Sequence, residues 1–129
     1  MTTGRCLCGG VQYRVEAPLE PVTACHCSQC RRQTGHYAAS ARTEMAALRI
    51  EGELRWFQSS PQARRGFCPV CGSYLFWQEG DAVWVTAGTL DPPTGLRLSH
   101  HIFAADKGDY YEITDGLPCY ARYSDGEAL

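Results

Sequence analysis

Eight cysteines in 129 residues constrain this chain more than any other feature, because all but one of them fall into three tight groups. The groups are Cys6-Leu7-Cys8-Gly9, Cys25-His26-Cys27-Ser28-Gln29-Cys30 and Cys68-Pro69-Val70-Cys71-Gly72, with Cys119 standing apart. The N-terminal "MTTGRCLCGG" has no apolar h-region, and no later stretch approaches the ~20 apolar residues that span a bilayer. The expectation is a soluble, cytoplasmic protein with no membrane partner. Reducing compartments keep thiols reduced, and clustered cysteines there are more often metal-binding or catalytic than disulfide-bonded. Metal is the leading reading.

Spacing separates the groups by what each can hold. A Cys-x-x-Cys-Gly turn points two thiolates at one place while its backbone N–H groups donate to the sulfurs, and "CPVCG" has that form. On an extended segment, Cys6 and Cys8 share a face as residues i and i+2. Together Cys6, Cys8, Cys68 and Cys71 make a tetrathiolate that suits a closed, structural zinc ion. Cys25, Cys27 and Cys30 supply three thiolates from one loop and leave a fourth tetrahedral position for water or substrate, which is the arrangement of catalytic zinc. His26 is expected to point away from the two sulfurs that flank it.

Other readings stay open on the residues alone. "CPVCG" fits a redox pair, although that chemistry favours a βα context that "FCPVCGSYLFW" lacks, and it resembles the knuckle of rubredoxin iron sites. The plain alternative for the Cys25 group is a second structural site closed by Cys119, His36, His100 or His101. Cys119, after the Gly116-Leu117-Pro118 turn, otherwise reads as a lone structural thiol.

The rest of the chain reads as one all-β domain covering residues 1–129, with no linker or repeat. Apolar residues make up 44% and charged residues 20%, ordinary for a globular protein. "VQYRVEA" alternates Val11, Tyr13 and Val15 against Gln12, Arg14 and Glu16, the period of a half-buried strand. "LRI" and "LRWF" around Glu51-Gly52-Glu53 predict a hairpin with Leu48 and Ile50 facing Leu54 and Trp56. "SYLFWQ" and "AVWVTAGTL" predict a second. In "LRLSHHIF" the neighbours His100 and His101 fall on opposite faces. Helical signal is confined to "CSQCRRQ" and "TEMAAL", each a turn or two long. The formal charge is −2 and the basic residues form no stripe, so nucleic acid is not an expected partner.

The succession "GRCLCGGVQYRV", "CHCSQCRRQTG", "GFCPVCGSYL", "AGTLD" and "HIFAADKGDYYEITDGLP" resembles the glutathione-dependent formaldehyde-activating enzyme family, whose domain is shared with centromere protein V. The likeness runs from Gly4 to about Pro118. It implies an Mss4-like β-tent of short antiparallel sheets with little helix, and two zinc ions. Cys6, Cys8, Cys68 and Cys71 fall on the structural-site motif, and Cys25, Cys27 and Cys30 on the proposed catalytic-site motif. Members are classed as carbon–sulfur lyases, and the named reaction joins formaldehyde to the thiol of glutathione. The implied partners are therefore a small thiol such as glutathione and an aldehyde.

His101 lies at the family's "HI" position, where an imidazole titrating near neutrality would shuttle protons; the plain alternative is a packed strand histidine. Arg31 and Arg32 would either hold a glutathione carboxylate bidentately or remain a solvated pair. The chain departs from the family at Tyr110, where many members carry Trp, and a pocket wall would change with it. Without the extensions that some relatives use for chromatin or other partners, a centromere-type role is not expected. A reading from another class is a non-catalytic Mss4-like zinc module that binds a protein partner or zinc, which predicts a second site that is closed or empty.

Overall fold

A computed structural model describes all residues, Met1–Leu129. The fold is all-β with one short helix, and ten strands follow in chain order: β1 Thr2–Arg5, β2 Gln12–Val15, β3 Val22–Cys25, β4 Ala38–Glu44, β5 Leu48–Glu51, β6 Arg55–Gln58, β7 Ala63–Phe67, β8 Tyr74–Glu79, β9 Ala82–Thr86 and β10 Leu98–Ile102. The helix, α1, spans Ser28–Thr34. No helix is long and apolar enough to cross a membrane. The chain divides into two compact units, each built from two separate segments: Met1–Glu20 with Ser40–Leu96, and Pro21–Ala39 with Arg97–Leu129.

The first unit holds the apolar core. β1, β2 and β5 form an antiparallel sheet, with Tyr13 opposite Ile50 and Val15 opposite Leu48. The alternation expected of "VQYRVEA" is present: Gln12 and Arg14 are exposed while Tyr13 and Val15 are buried. β4, β9, β8, β7 and β6 run side by side in that order, every pair antiparallel. Successive strand residues point to opposite faces, and Leu75 and Phe76 on β8 are both fully buried. β8 is therefore covered on both faces. Its Phe76 ring meets Tyr13 edge-on at 5.0 Å between centroids. Burial of a side chain of this size contributes about 1.5–3 kcal/mol. Cys6 and Cys68 belong to the same cluster of buried side chains.

The hairpin predicted at Glu51-Gly52-Glu53 does not form. β5 pairs with β2, and β6 pairs with β7, where Trp56 lies opposite Gly66. Trp56 is held there by the Arg64 guanidinium, 3.9 Å from its ring centroid, and by the open backbone of Gly66. Two apolar positions per strand are too few to choose a partner, and these tertiary contacts decide it. The second predicted hairpin is observed as β8 and β9. Of "TEMAAL", only Met45–Ala47 turns, as a single 3-10 turn.

The second unit is organised differently. β10 runs parallel to β3, placing His101 beside Ala24 and Ile102 beside Cys25. This pair departs from the expectation of antiparallel sheets alone. Besides Val22, Ala24, Cys30 and Ala38, its buried side chains are two histidines, His26 and His101. Burying a polar ring costs free energy unless it is hydrogen-bonded, so the centre of this unit depends on directed contacts.

Candidate metal centres

In the first unit two turns meet. Cys6 follows β1, Cys68 follows β7, and each opens a tight loop closed by a backbone bond, Gly9 N–H to Cys6 O at 3.1 Å and Gly72 N–H to Cys68 O at 2.8 Å. Gly9 and Gly72 have φ of 80° and 78°, a left-handed backbone that side chains disfavour. That requirement explains the glycine after each cysteine pair. Cys6-Leu7-Cys8 is thus a turn and not the extended segment anticipated from its spacing.

The four sulfurs of Cys6, Cys8, Cys68 and Cys71 all lie within 4.8 Å of one another. Cys6 and Cys8 are 3.6 Å apart and Cys8 and Cys68 3.7 Å, far beyond a disulfide bond. A tetrahedron with Zn–S bonds of about 2.3 Å has edges of about 3.8 Å, so the sulfurs already stand at the spacing zinc requires. Backbone N–H groups donate to them: Val11 to Cys6 at 3.3 Å, Gly10 to Cys8 at 3.4 Å and Cys71 to Cys68 at 3.5 Å. Ser73 ties the turns together, accepting from Leu7 N–H at 2.9 Å and contacting Cys71 Sγ at 3.2 Å.

The thiols of this group do not share one acidity. The Ser73 hydroxyl, then N–H donors, bring Cys71 down to about 5. Cys8 rises to about 11, because Cys6, burial and the other thiols outweigh the Gly10 N–H. Four thiols competing for a shared charge need a cation to ionise together, and zinc meets that need.

The second group is assembled in the other unit at the junction of β3 and α1. Cys25 ends β3, Cys27 caps the helix by accepting from Cys30 N–H at 3.3 Å, and Cys30 is buried in the first turn. Their three sulfurs lie within 4.8 Å of one another, and no further Cys, His, Asp or Glu atom joins the group. Cys27 and Cys30 push the Cys25 thiol far up, with burial adding to them. The donor set fits a cation here too: three crowded thiols relieved by one positive charge. Both groups can hold metal ions and are compatible with zinc.

The residues considered for closing this group are engaged elsewhere. His36 Nδ1 pairs with the Tyr110 hydroxyl at 2.6 Å, His100 Nδ1 with Ser99 Oγ at 2.7 Å, and His101 with both His26 and Asp115. Cys119 sits in a backbone bridge with His101, its thiol raised by burial and then by Asp115. Arg31 donates to the Asp106 carbonyl at 3.3 Å, whereas Arg32 is exposed.

His26 lies between two ligand-type cysteines yet joins neither group of sulfurs. Its Nε2 meets His101 Nδ1 at 2.9 Å and its Nδ1 meets the Tyr111 hydroxyl. Burial, then the nearby His101, His36 and Lys107, lower its pKa to about 4, so the ring is neutral at pH 7. His101 Nε2 in turn meets Asp115 Oδ2 at 2.7 Å. Nothing local in the sequence marks Tyr111 or Asp115; only the fold brings Tyr111 to His26 and Asp115 to His101. Around Tyr111 stand His36 at 4.5 Å and Tyr110 at 4.9 Å between ring centroids, and Tyr37 lies tilted at 41° against His26 at 4.9 Å. In the first unit, an open hollow of about 380 Å³ is lined by Arg5, Tyr13, Arg14, Arg49, Glu51 and Asp91 among others. Its mixed charges and lack of cysteine set it apart from either sulfur group.

Comparison with known proteins identifies one family. Residues 1–106 match the family described as glutathione-dependent formaldehyde-activating enzyme. No curated protein matches the chain. Among solved structures, a crystal structure of a Rhodobacter sphaeroides protein is similar at 29% identity and a TM-score of 0.61, over 70% of this chain and 88% of that one.

Proposed function

The chain belongs to the glutathione-dependent formaldehyde-activating enzyme family, and from that premise we propose that it is a zinc-dependent carbon–sulfur lyase. It acts on the adduct of a small thiol such as glutathione with an aldehyde, or on a related small molecule. Cys6, Cys8, Cys68 and Cys71 hold a structural zinc, and Cys25, Cys27 and Cys30 hold a second, catalytic one. The observation that carries this reading is the three-sulfur group with no fourth protein ligand. Three protein ligands leave room for an exchangeable one, whereas a structural site closes its shell.

A zinc ion in the second site supplies Lewis acidity and favours the thiolate form of a bound thiol. The chain's own residues position the reactants and manage protons. Making a hydroxymethyl thioether from a thiol and an aldehyde requires the sulfur to lose a proton and the carbonyl oxygen to gain one. His101 is the candidate shuttle, its ring oriented by the Asp115 carboxylate at 2.7 Å. Arg32, exposed on α1 two residues after Cys30, is available to a carboxylate of glutathione.

A non-catalytic zinc module that binds a protein partner is the second reading, favoured by Leu7 and Val70, which stand 80% and 81% exposed at the tips of the two turns. Metal analysis and turnover separate the two. We expect two zinc equivalents after reconstitution, and formation of S-hydroxymethylglutathione from glutathione and formaldehyde above the uncatalysed rate. One equivalent, or no acceleration by fully loaded protein, would defeat the enzymatic reading.

A further inference from the structure

The buried histidines of the second unit form part of an unbroken hydrogen-bonded line: Tyr111 Oη, His26 Nδ1 and Nε2, His101 Nδ1 and Nε2, Asp115 Oδ2. With both rings neutral, the direction of every hydrogen in it is fixed from one end. A carboxylate only accepts, and the Leu117 N–H at 3.0 Å, then His101, hold Asp115 in that form. His101 must therefore donate from Nε2, which leaves its Nδ1 as a neutral-ring acceptor. His26 must then donate from Nε2 and accept at Nδ1, and Tyr111 must turn its hydrogen inward. What remains on the other side of Tyr111 Oη is lone pairs.

We propose that Tyr111, His26, His101 and Asp115 are a pre-ordered proton relay, in which Tyr111 Oη takes the proton of the substrate thiol and Asp115 receives one at the surface. The proposal rests on the thiol–aldehyde reading above. The balance is simple. The substrate S–H bond breaks and an O–H bond forms at Tyr111. The Tyr111 proton passes to His26 Nδ1, the His26 Nε2 proton to His101 Nδ1, and the His101 Nε2 proton to Asp115 Oδ2. One proton crosses the line, no electron pair changes owner by oxidation, and both rings stay neutral throughout. The reverse passage returns a proton to the alkoxide oxygen of the product.

Burial suits each part to its place. His26 is 1% and His101 3% exposed, so water does not short-circuit the middle of the line, while the Asp115 side chain is 39% exposed and exchanges with solvent. Tyr111 sits among His36, Tyr37 and Tyr110, beside the segment that carries Cys25 and Cys27. Tyr111 is then the group that touches substrate, and the other three are positioning residues acting through it.

The experiment reads the tautomers directly by ring ¹H–¹⁵N correlation of the zinc-loaded, full-length protein. The expected result is a hydrogen on Nε2 of both His26 and His101. In Asp115→Asn the Leu117 N–H retains Oδ1, so Nδ2 faces His101 and donates, and both rings must switch to the Nδ1–H form. Tyr111→Phe should leave both on Nε2, because the carboxylate sets the order. An imidazolium in the wild type, Nδ1–H rings there, or unchanged tautomers in Asp115→Asn would overturn the relay. These outcomes do not depend on turnover, so they stand apart from failure of the substrate reading. With turnover, Tyr111→Phe should lower kcat about 100-fold with KM and zinc content little changed; an equal loss traced to missing zinc would reduce Tyr111 to a structural role and overturn its part.

Discussion

Tyr13 carries a measurable pH signature of the first unit. Burial, against a 2.6 Å contact with Thr89 Oγ1 that opposes it and with Asp91 adding to it, raises its phenol to about 12. The folded state therefore keeps a proton that the unfolded chain gives up near pH 10. Between those values the folded form binds more protons, so stability is intact below about pH 10 and falls as pH rises through 12. The full loss is roughly 3 kcal/mol, from two pKa units at about 1.4 kcal/mol each. Denaturant melts of zinc-loaded protein at pH 9 and 11 should show the decline, and Tyr13→Phe should flatten it; an unaltered slope in that variant would assign the effect elsewhere. At this scale the sequence announces the sulfur donors, because spacings of two and three residues are local geometry. It is silent about the partners of His26, since His101 and Tyr111 lie 75 and 85 residues further along.

Among the elements, the turns and the β3–α1 junction respond differently to loss of a sulfur. Cys71 belongs to a group whose partners Cys6 and Cys68 are packed in the apolar core, so a metal held by this group and that core would hold each other in place. We predict that Cys71→Ser unfolds or aggregates, whereas Cys27→Ser loses only the second metal and keeps a cooperative melt. Circular dichroism and zinc analysis of the two variants check this, and the opposite pattern would reverse the division of roles. The same contrast separates what patterns can and cannot foretell. β8 and β9 were legible because Glu79-Gly80-Asp81 marks a turn between two apolar runs. β5 and β6 were not, because Leu48 and Ile50 fit β2 as well as they fit Trp56, and an arginine–tryptophan contact with a glycine opposite settled the matter. β7 was hidden by Arg64 and Arg65, which look solvent-seeking in sequence, yet Arg65 is 4% exposed.

For the molecule as a whole, the chemistry of the two sulfur groups predicts two separable stages of metal removal. A three-thiolate site with an exchangeable position yields its zinc to a chelator sooner than a four-thiolate site inside a packed core. Titration with a graded chelator should release the first equivalent with little change in near-UV circular dichroism, and the second together with its collapse; a single concerted step would show that the groups are not independent. Both units are made of two distant segments, and this has a consequence for the order in which the protein comes into being. The Cys25 group is complete once residue 30 has been translated, but the other group waits for Cys71. At about 5–20 residues per second, this gap lasts roughly 2–8 s. On the ribosome, then, the three-sulfur group can take up a cation before the chain has supplied the last sulfur of the four-sulfur group.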